Sequence, residues 1–180
     1  KARQLQTAAE IARDTSSTLA LDTLLQRVTA LICDRFGYYH AAVFMLDEEG
    51  RYAVVREATG DAGAEMIRRK HRLAVGSRSV IGYVTSEGNL LVVNDCSADP
   101  LHRPNPLLPN TRAELALPLM VGDRILGALD VQSTLPGAFN ADDLSVLQVL
   151  ADQVAVAVDN ARAYELSQKA YEEMRELDKL

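Results

Sequence analysis

The chain has 180 residues, which suits one domain of ordinary size or one domain with long appendages. Its 19 Lys and Arg against 25 Asp and Glu leave a net charge of −6; without clustered cations a phosphate backbone finds no partner, so no nucleic acid is expected. An apolar fraction of 48% supports a packed core, no apolar run approaches a membrane span, and no signal-peptide pattern opens the chain.

Two cysteines, Cys33 and Cys96, exclude a disulfide scaffold and a Cys-rich zinc site and point to a reducing, cytoplasmic compartment. The start at Lys1 rather than at a Met reads as excision from something longer. From Ala2 onward, Leu5, Ala8, Ala12, Thr15 and Leu19 recur at steps of three and four, the rhythm of a helical seam. Asp22 is placed to cap a second helix, with Leu21, Leu24, Leu25, Val28, Leu31, Ile32 and Phe36 in one stripe and Gly37 ending it. Ala41 to Leu46 reads as a buried strand, 47–50 as a turn, and Tyr52 to Glu57 as the returning strand. A short helix is expected over 63–70, a brief strand over 72–75, a helix over 79–86 ending at Gly88, and a strand over 90–93.

Residues 94–112 carry four prolines, which makes them a long stiffened loop of the kind that serves function. Leu115 to Val121 and Arg124 to Gln132 form a hairpin about Gly122-Asp123, and Pro118 predicts an edge or a bulge. Asn140 caps the last helix; Leu144, Leu147, Leu150, Val154, Val158 and Ala161 pack on the sheet. This helix continues to Leu180 and outruns the core. Ala163, Leu166, Ala170, Leu177 and Leu180 share a seam that Glu173 interrupts. The expected fold class is α+β in α/β/α layers, a central antiparallel sheet with helices on its faces and helical extensions at both ends.

Several stretches resemble the GAF domain. They are Gly37-Tyr38-Tyr39-His40-Ala41-Ala42-Val43-Phe44, Gly76 to Val84, Thr111 to Leu119, Ile125 to Ser133, and Phe139 to Ala161. The wording most resembles GAF domains of bacterial multi-domain sensor histidine kinases. The resemblance implies a regulatory domain over 21–162, preceded by a helix over 1–20 and followed by a coiled-coil-like linker over 163–180. It further implies a small-molecule ligand of unnamed identity, a homodimer through the terminal helices, and neighbouring domains in a two-component signalling protein. The alternatives are a ligand-free dimerisation spacer and a haem- or bilin-type sensor.

No nucleophile–base pair and no metal-ligand spacing stands in the sequence, so no catalytic residue, metal or cofactor is expected. His40, His71 and His102 lie about thirty residues apart; His71 and His102 precede or sit in pocket loops. Cys33 reads as a small core residue, and Cys96 stands at a strand end without the Cys-His pair of bilin-binding relatives. Phe139 and Asp143 match half of a cyclic-nucleotide motif, and packing under a helix start accounts for both. The candidate ligand residues are Tyr83, Asp95, His102, Arg103, Asn105, Arg112 and Glu114, with Leu107 and Leu117 as walls. Arg112 offers a planar fork to a carboxylate or phosphate, or else pairs with Glu114 or Asp95 to tie the loop down. The candidate dimer residues are Leu5, Ala12, Leu19, Leu166, Ala170 and Leu177. The tail charges alternate in sign and supply no basic face for a membrane.

Overall fold

The computed structural model describes residues 18–180. Leu5, Ala12 and the side chain of Leu19 lie outside the described residues. The elements in chain order are α1 (Thr18–Phe36), β1 (His40–Leu46), β2 (Tyr52–Ala58), α2 (Gly60–Arg68), β3 (Arg72–Ala74), α3 (Val80–Glu87), β4 (Leu91–Val93), β5 (Ala113–Val121), β6 (Arg124–Ser133) and α4 (Ala141–Asp178). The six strands form one sheet in the order β3-β2-β1-β6-β5-β4, and every neighbouring pair is antiparallel.

Strand periodicity divides the core into two layers. Ala41, Val43, Leu115, Leu117, Leu119, Leu129 and Val131 face α1 and α4, where they meet Leu25, Ile32, Leu147, Val154 and Val158. Ala42, Phe44, Ala116 and Ala128 face the other way, toward Met66 of α2, Val80, Ile81 and Val84 of α3, and Leu108 of the Pro-rich loop. The result is an α/β/α sandwich, as expected.

Two details depart from the expectation. No helix begins at Asp22, because the run from Thr18 contains neither Gly nor Pro and the helix passes straight through it. The Asp22 carboxylate instead accepts a hydrogen bond from Arg56 Nε of β2 at 2.8 Å. Leu31 falls off the buried stripe and is 36% exposed, while Leu25 and Ile32 beside it are fully enclosed.

Pro118 behaves as its missing N–H demands. It pairs with Ala128 of β6 but lies past the end of β4, whose pairing with β5 stops at Ala116, and a bulge follows between Leu119 and Met120. Asn140 caps α4 by accepting from the Asp143 amide at 2.9 Å. The 38 residues of α4 span about 57 Å. The last buried residue is Ala161, after which Arg162 donates to the Leu46 carbonyl at 2.8 Å, and residues 163–180 stand exposed. No described helix is long and apolar enough to cross a membrane.

Candidate functional site

On the face turned toward α2 and α3, three central strands line up in rows. His40 of β1, Gln132 of β6 and Glu114 of β5 form one row; Ala42, Asp130 and Ala116 form the next; Phe44, Ala128 and Pro118 the third. Neighbouring strands place such residues side by side. Asp130 therefore rises between two alanines, whose short side chains leave open space above it. Phe44, Met66, Ile81, Leu107 and the polar floor of Glu114, Asp130 and Gln132 enclose a cavity of about 340 Å3. The Pro-rich loop forms one wall through Arg103, Pro104, Asn105, Pro106 and Leu107.

The floor is a buried, hydrogen-bonded group. Gln132 Nε2 donates to Asp130 Oδ2 at 2.7 Å and, at longer range, to Glu114 Oε2 at 3.3 Å. Thr111 Oγ1 donates to Gln132 Oε1 at 2.6 Å, which fixes the amide's orientation. His102 Nδ1 lies 2.9 Å from Glu114 Oε1, tying the loop to the floor. Asp130 is 2% exposed, yet its Oδ1 has no hydrogen-bond donor.

Burial and the neighbouring Glu114 charge push the Asp130 carboxyl well above the usual range. Burial also raises the Glu114 carboxyl and lowers the His102 imidazole. Burial lowers His40 too, and burial with the nearby Arg103 charge lowers His71.

The start of α3 forms another wall of the cavity. Ser79 caps this helix, accepting from the Gly82 amide at 2.9 Å, and Ser79, Val80 and Ile81 all line the space. Gly82 is required there, because a Cβ would collide with the Ser77 backbone. Arg69, Arg72 and Arg103, all exposed residues, also line the cavity.

Of the expected ligand residues, Arg103, Asn105, Leu107 and Glu114 line the cavity and His102 holds Glu114 from behind. Asn105 also shapes its loop, accepting from the Leu107 amide at 3.0 Å. Four others stand elsewhere. Leu117 is fully buried on the opposite face, since an odd-numbered residue of β5 cannot share a face with Glu114. Tyr83 is half-buried on α3 outside the lining. Asp95 is exposed and spends its carboxylate on the Ser97 amide and hydroxyl, at 3.1 and 2.6 Å. Arg112 has an exposed side chain and makes no ion pair with Glu114 or Asp95 within 4.0 Å; its backbone ties the loop ends together through Ser133 and Cys96.

The sequence reading missed Asp130 and Gln132. Their signal was a charge and an amide alternating with Leu129 and Val131 inside an apolar strand. It also missed that the seam of α4 reaches back over the globule. Val149 and Val156, 45% and 48% exposed, stand seven residues apart in line with Ala163, Ala170 and Leu177. Leu166, Ala170 and Leu177 are themselves exposed.

Burial first, then the charges of Glu114 and Asp130, push the Cys96 thiol up to about 12. No cluster of three or more metal-ligating side chains occurs among the described residues.

A family model described as a GAF domain matches residues 18–159. The GAF domain of a phosphoenolpyruvate-protein phosphotransferase from Coxiella burnetii superposes with a TM-score of 0.77 at 20% identity, over 90% of this chain and 94% of that one. The free methionine-R-sulfoxide reductase of Neisseria meningitidis, solved with its substrate, superposes with a TM-score of 0.71 at 22% identity, over 88% of each chain. The formate hydrogenlyase transcriptional activator FhlA of Escherichia coli (strain K12) is 45% identical over 49 residues. Those residues are 27% of this chain and 7% of that protein.

Proposed function

The chain belongs to the GAF domain family, and on that premise we propose that it is the sensory domain of a cytoplasmic signal-transduction protein. It binds a small molecule in the cavity over Glu114, Asp130 and Gln132 and passes its state to α4. The observation that carries this reading is a cavity of about 340 Å3, near the lower end of ligand-sized spaces, whose apolar walls surround a few convergent polar groups. The FhlA stretch supports a regulatory setting. A sensor histidine kinase is the parent protein that the sequence resemblance favours; a transcriptional activator is the second reading.

Transmission needs no bond chemistry in the domain. β5 and β6 carry the cavity floor on one face and pack against α4 on the other, through Leu115, Leu117 and Val131. A ligand that shifts those strands biases how α4 meets its twin. The occupant of the exposed α4 stripe is a second copy of this chain, because Val149, Val156, Ala163, Ala170 and Leu177 keep one heptad phase from the globule to the end of the helix.

Native mass spectrometry of protein purified without denaturation tests both parts. The expected spectrum is a dimer with a retained small molecule. A monomer at tens of micromolar sinks the transmission scheme; a dimer with no retained mass and a loop packed shut supports a spacer instead.

A further inference from the structure

Charge is spread unevenly over this acidic chain. Arg68, Arg69, Lys70 and Arg72 follow one another with only His71 between them. α2 ends at Arg68, and after a short turn the chain enters β3, the edge strand of the sheet. All four residues are exposed. Arg103 of the Pro-rich loop, also exposed, comes to the same corner: it lines the cavity beside Arg69 and Arg72, and its charge acts on His71.

Little in the corner neutralises these cations. The Glu65 carboxylate accepts a hydrogen bond from Arg68 Nε at 2.7 Å and lies 3.6 Å from Arg69 Nε. The side chains of Arg68 and Arg69 still keep 72% and 58% of their exposure. Lys70, Arg72 and Arg103 take part in no ion pair among the described residues. Arg72 is held over the Tyr52 ring, 3.9 Å from its centre, which fixes the guanidinium without cancelling its charge.

Lys70 adds a second observation. At φ +53° it alone, of the described non-glycine residues, has a left-handed backbone. Its N–H donates to the Ile67 carbonyl and the His71 N–H to the Met66 carbonyl, the closing pattern of a helix in which glycine is the usual residue. A lysine there is strained where a glycine is not. Strain kept at an exposed cation goes with function rather than with folding.

We propose that the corner between α2 and β3 is a docking surface for a short acidic segment of another polypeptide, held by Arg68, Arg69, Lys70, Arg72 and Arg103. This goes beyond the sensor reading and does not depend on what fills the cavity, whose lining excludes Arg68 and Lys70. Four guanidinium forks suit planar carboxylates, each of which accepts two N–H bonds. The segment is short because the corner is small. The whole chain carries −6, so everything outside the corner is more negative still. A nucleic-acid duplex or an anionic bilayer extends past the corner and meets that negative remainder within a Debye length of about 8 Å. A short peptide does not.

The test uses the whole chain and a fluorescent peptide of about eight residues alternating Glu and Ser, roughly 27 Å when extended, beside the same peptide with Gln for Glu. Anisotropy titration is expected to show the Glu peptide binding at least about tenfold more tightly, with the difference shrinking as salt is added. The double reversal Arg68→Glu with Lys70→Glu is expected to weaken Glu-peptide binding at least about tenfold. Lys70→Gly is expected to weaken it about two- to fivefold while raising the melting temperature by about 2–4 °C, a pairing that damage to the fold cannot produce. Equal binding of the two peptides overturns the proposal, as does Glu-peptide binding that survives the double reversal. Tighter binding of a long DNA duplex or of phosphatidylserine vesicles overturns it in favour of a phosphate surface. Dissociation of the chain's own dimer by the double reversal assigns the corner to a second copy and overturns it too. None of these results alters the mass of a molecule retained in the cavity, so the sensor reading is judged separately.

Discussion

The same strands build two unlike surfaces. Toward α1 and α4 the central strands bury apolar side chains, and Leu25, Ile32, Leu115, Leu117, Leu129 and Leu147 are all enclosed there. Toward α2, α3 and the Pro-rich loop it presents His40, Glu114, Asp130 and Gln132 among alanines, with a cavity above them. The first arrangement maximises apolar burial and gains stability. The second sacrifices it: polar groups are taken out of water, one carboxylate oxygen lacks a donor, and small side chains stand where large ones would fill the space. Local disagreement with the rules of good packing marks where a protein does its work.

The largest expected effect breaks the apolar face. Leu117→Ala leaves a void among fully enclosed neighbours and is expected to cost about 2–5 kcal/mol in urea unfolding, whereas Tyr83→Ala outside the lining leaves the cavity intact. Next comes a change of opposite sign on the polar face. The Asp130 carboxyl is raised in the folded state, so its contribution is fully present below the unfolded carboxylate range near pH 4 and is lost as pH rises through the raised folded value. Asp130→Asn removes that loss. It is expected to stabilise the protein by about 1–3 kcal/mol at pH 8, with the gain shrinking toward pH 4 in thermal melts. Ser79→Ala deletes the cap of α3 and is expected to cost about 1 kcal/mol, with α3 amides exchanging faster. Arg56→Ala opens the half-exposed bridge to Asp22; the expected loss is below about 1 kcal/mol and shrinks further with added salt.

Much of this contrast was readable before any coordinates. The hairpin of β5 and β6, the Asn140 cap, the Pro-rich loop beside a cavity and the unbroken last helix all follow from local patterns, and the structure places each as read. The errors came from pairing. Glu114 and Leu117 were assigned to one site although three steps along a strand reverse the face. Asp130 was passed over although Ala128, Asp130 and Gln132 alternate with Leu129 and Val131. That alternation names a polar row; only strand order, with β6 between β1 and β5, shows that Ala42 and Ala116 flank Asp130 and leave room above it. The His102–Glu114 and Thr111–Gln132 contacts join residues from the loop to the sheet, and no local pattern encodes them. Asp22 shows the converse, a capping residue drawn into a tertiary bond by Arg56.

The most direct test is to map binding on the backbone by nitrogen–proton correlation spectra of the labelled chain, titrated with the small molecule that native mass spectrometry finds retained. Shifts are expected to concentrate at Glu114, Asp130, Gln132, Val80 and Ile81, with a smaller response along Leu147 to Ala161 of α4. Shifts gathered instead around Cys33, Tyr39 and Thr59, which line a separate depression beside α1, would contradict the assignment of the carboxylate face as the binding face.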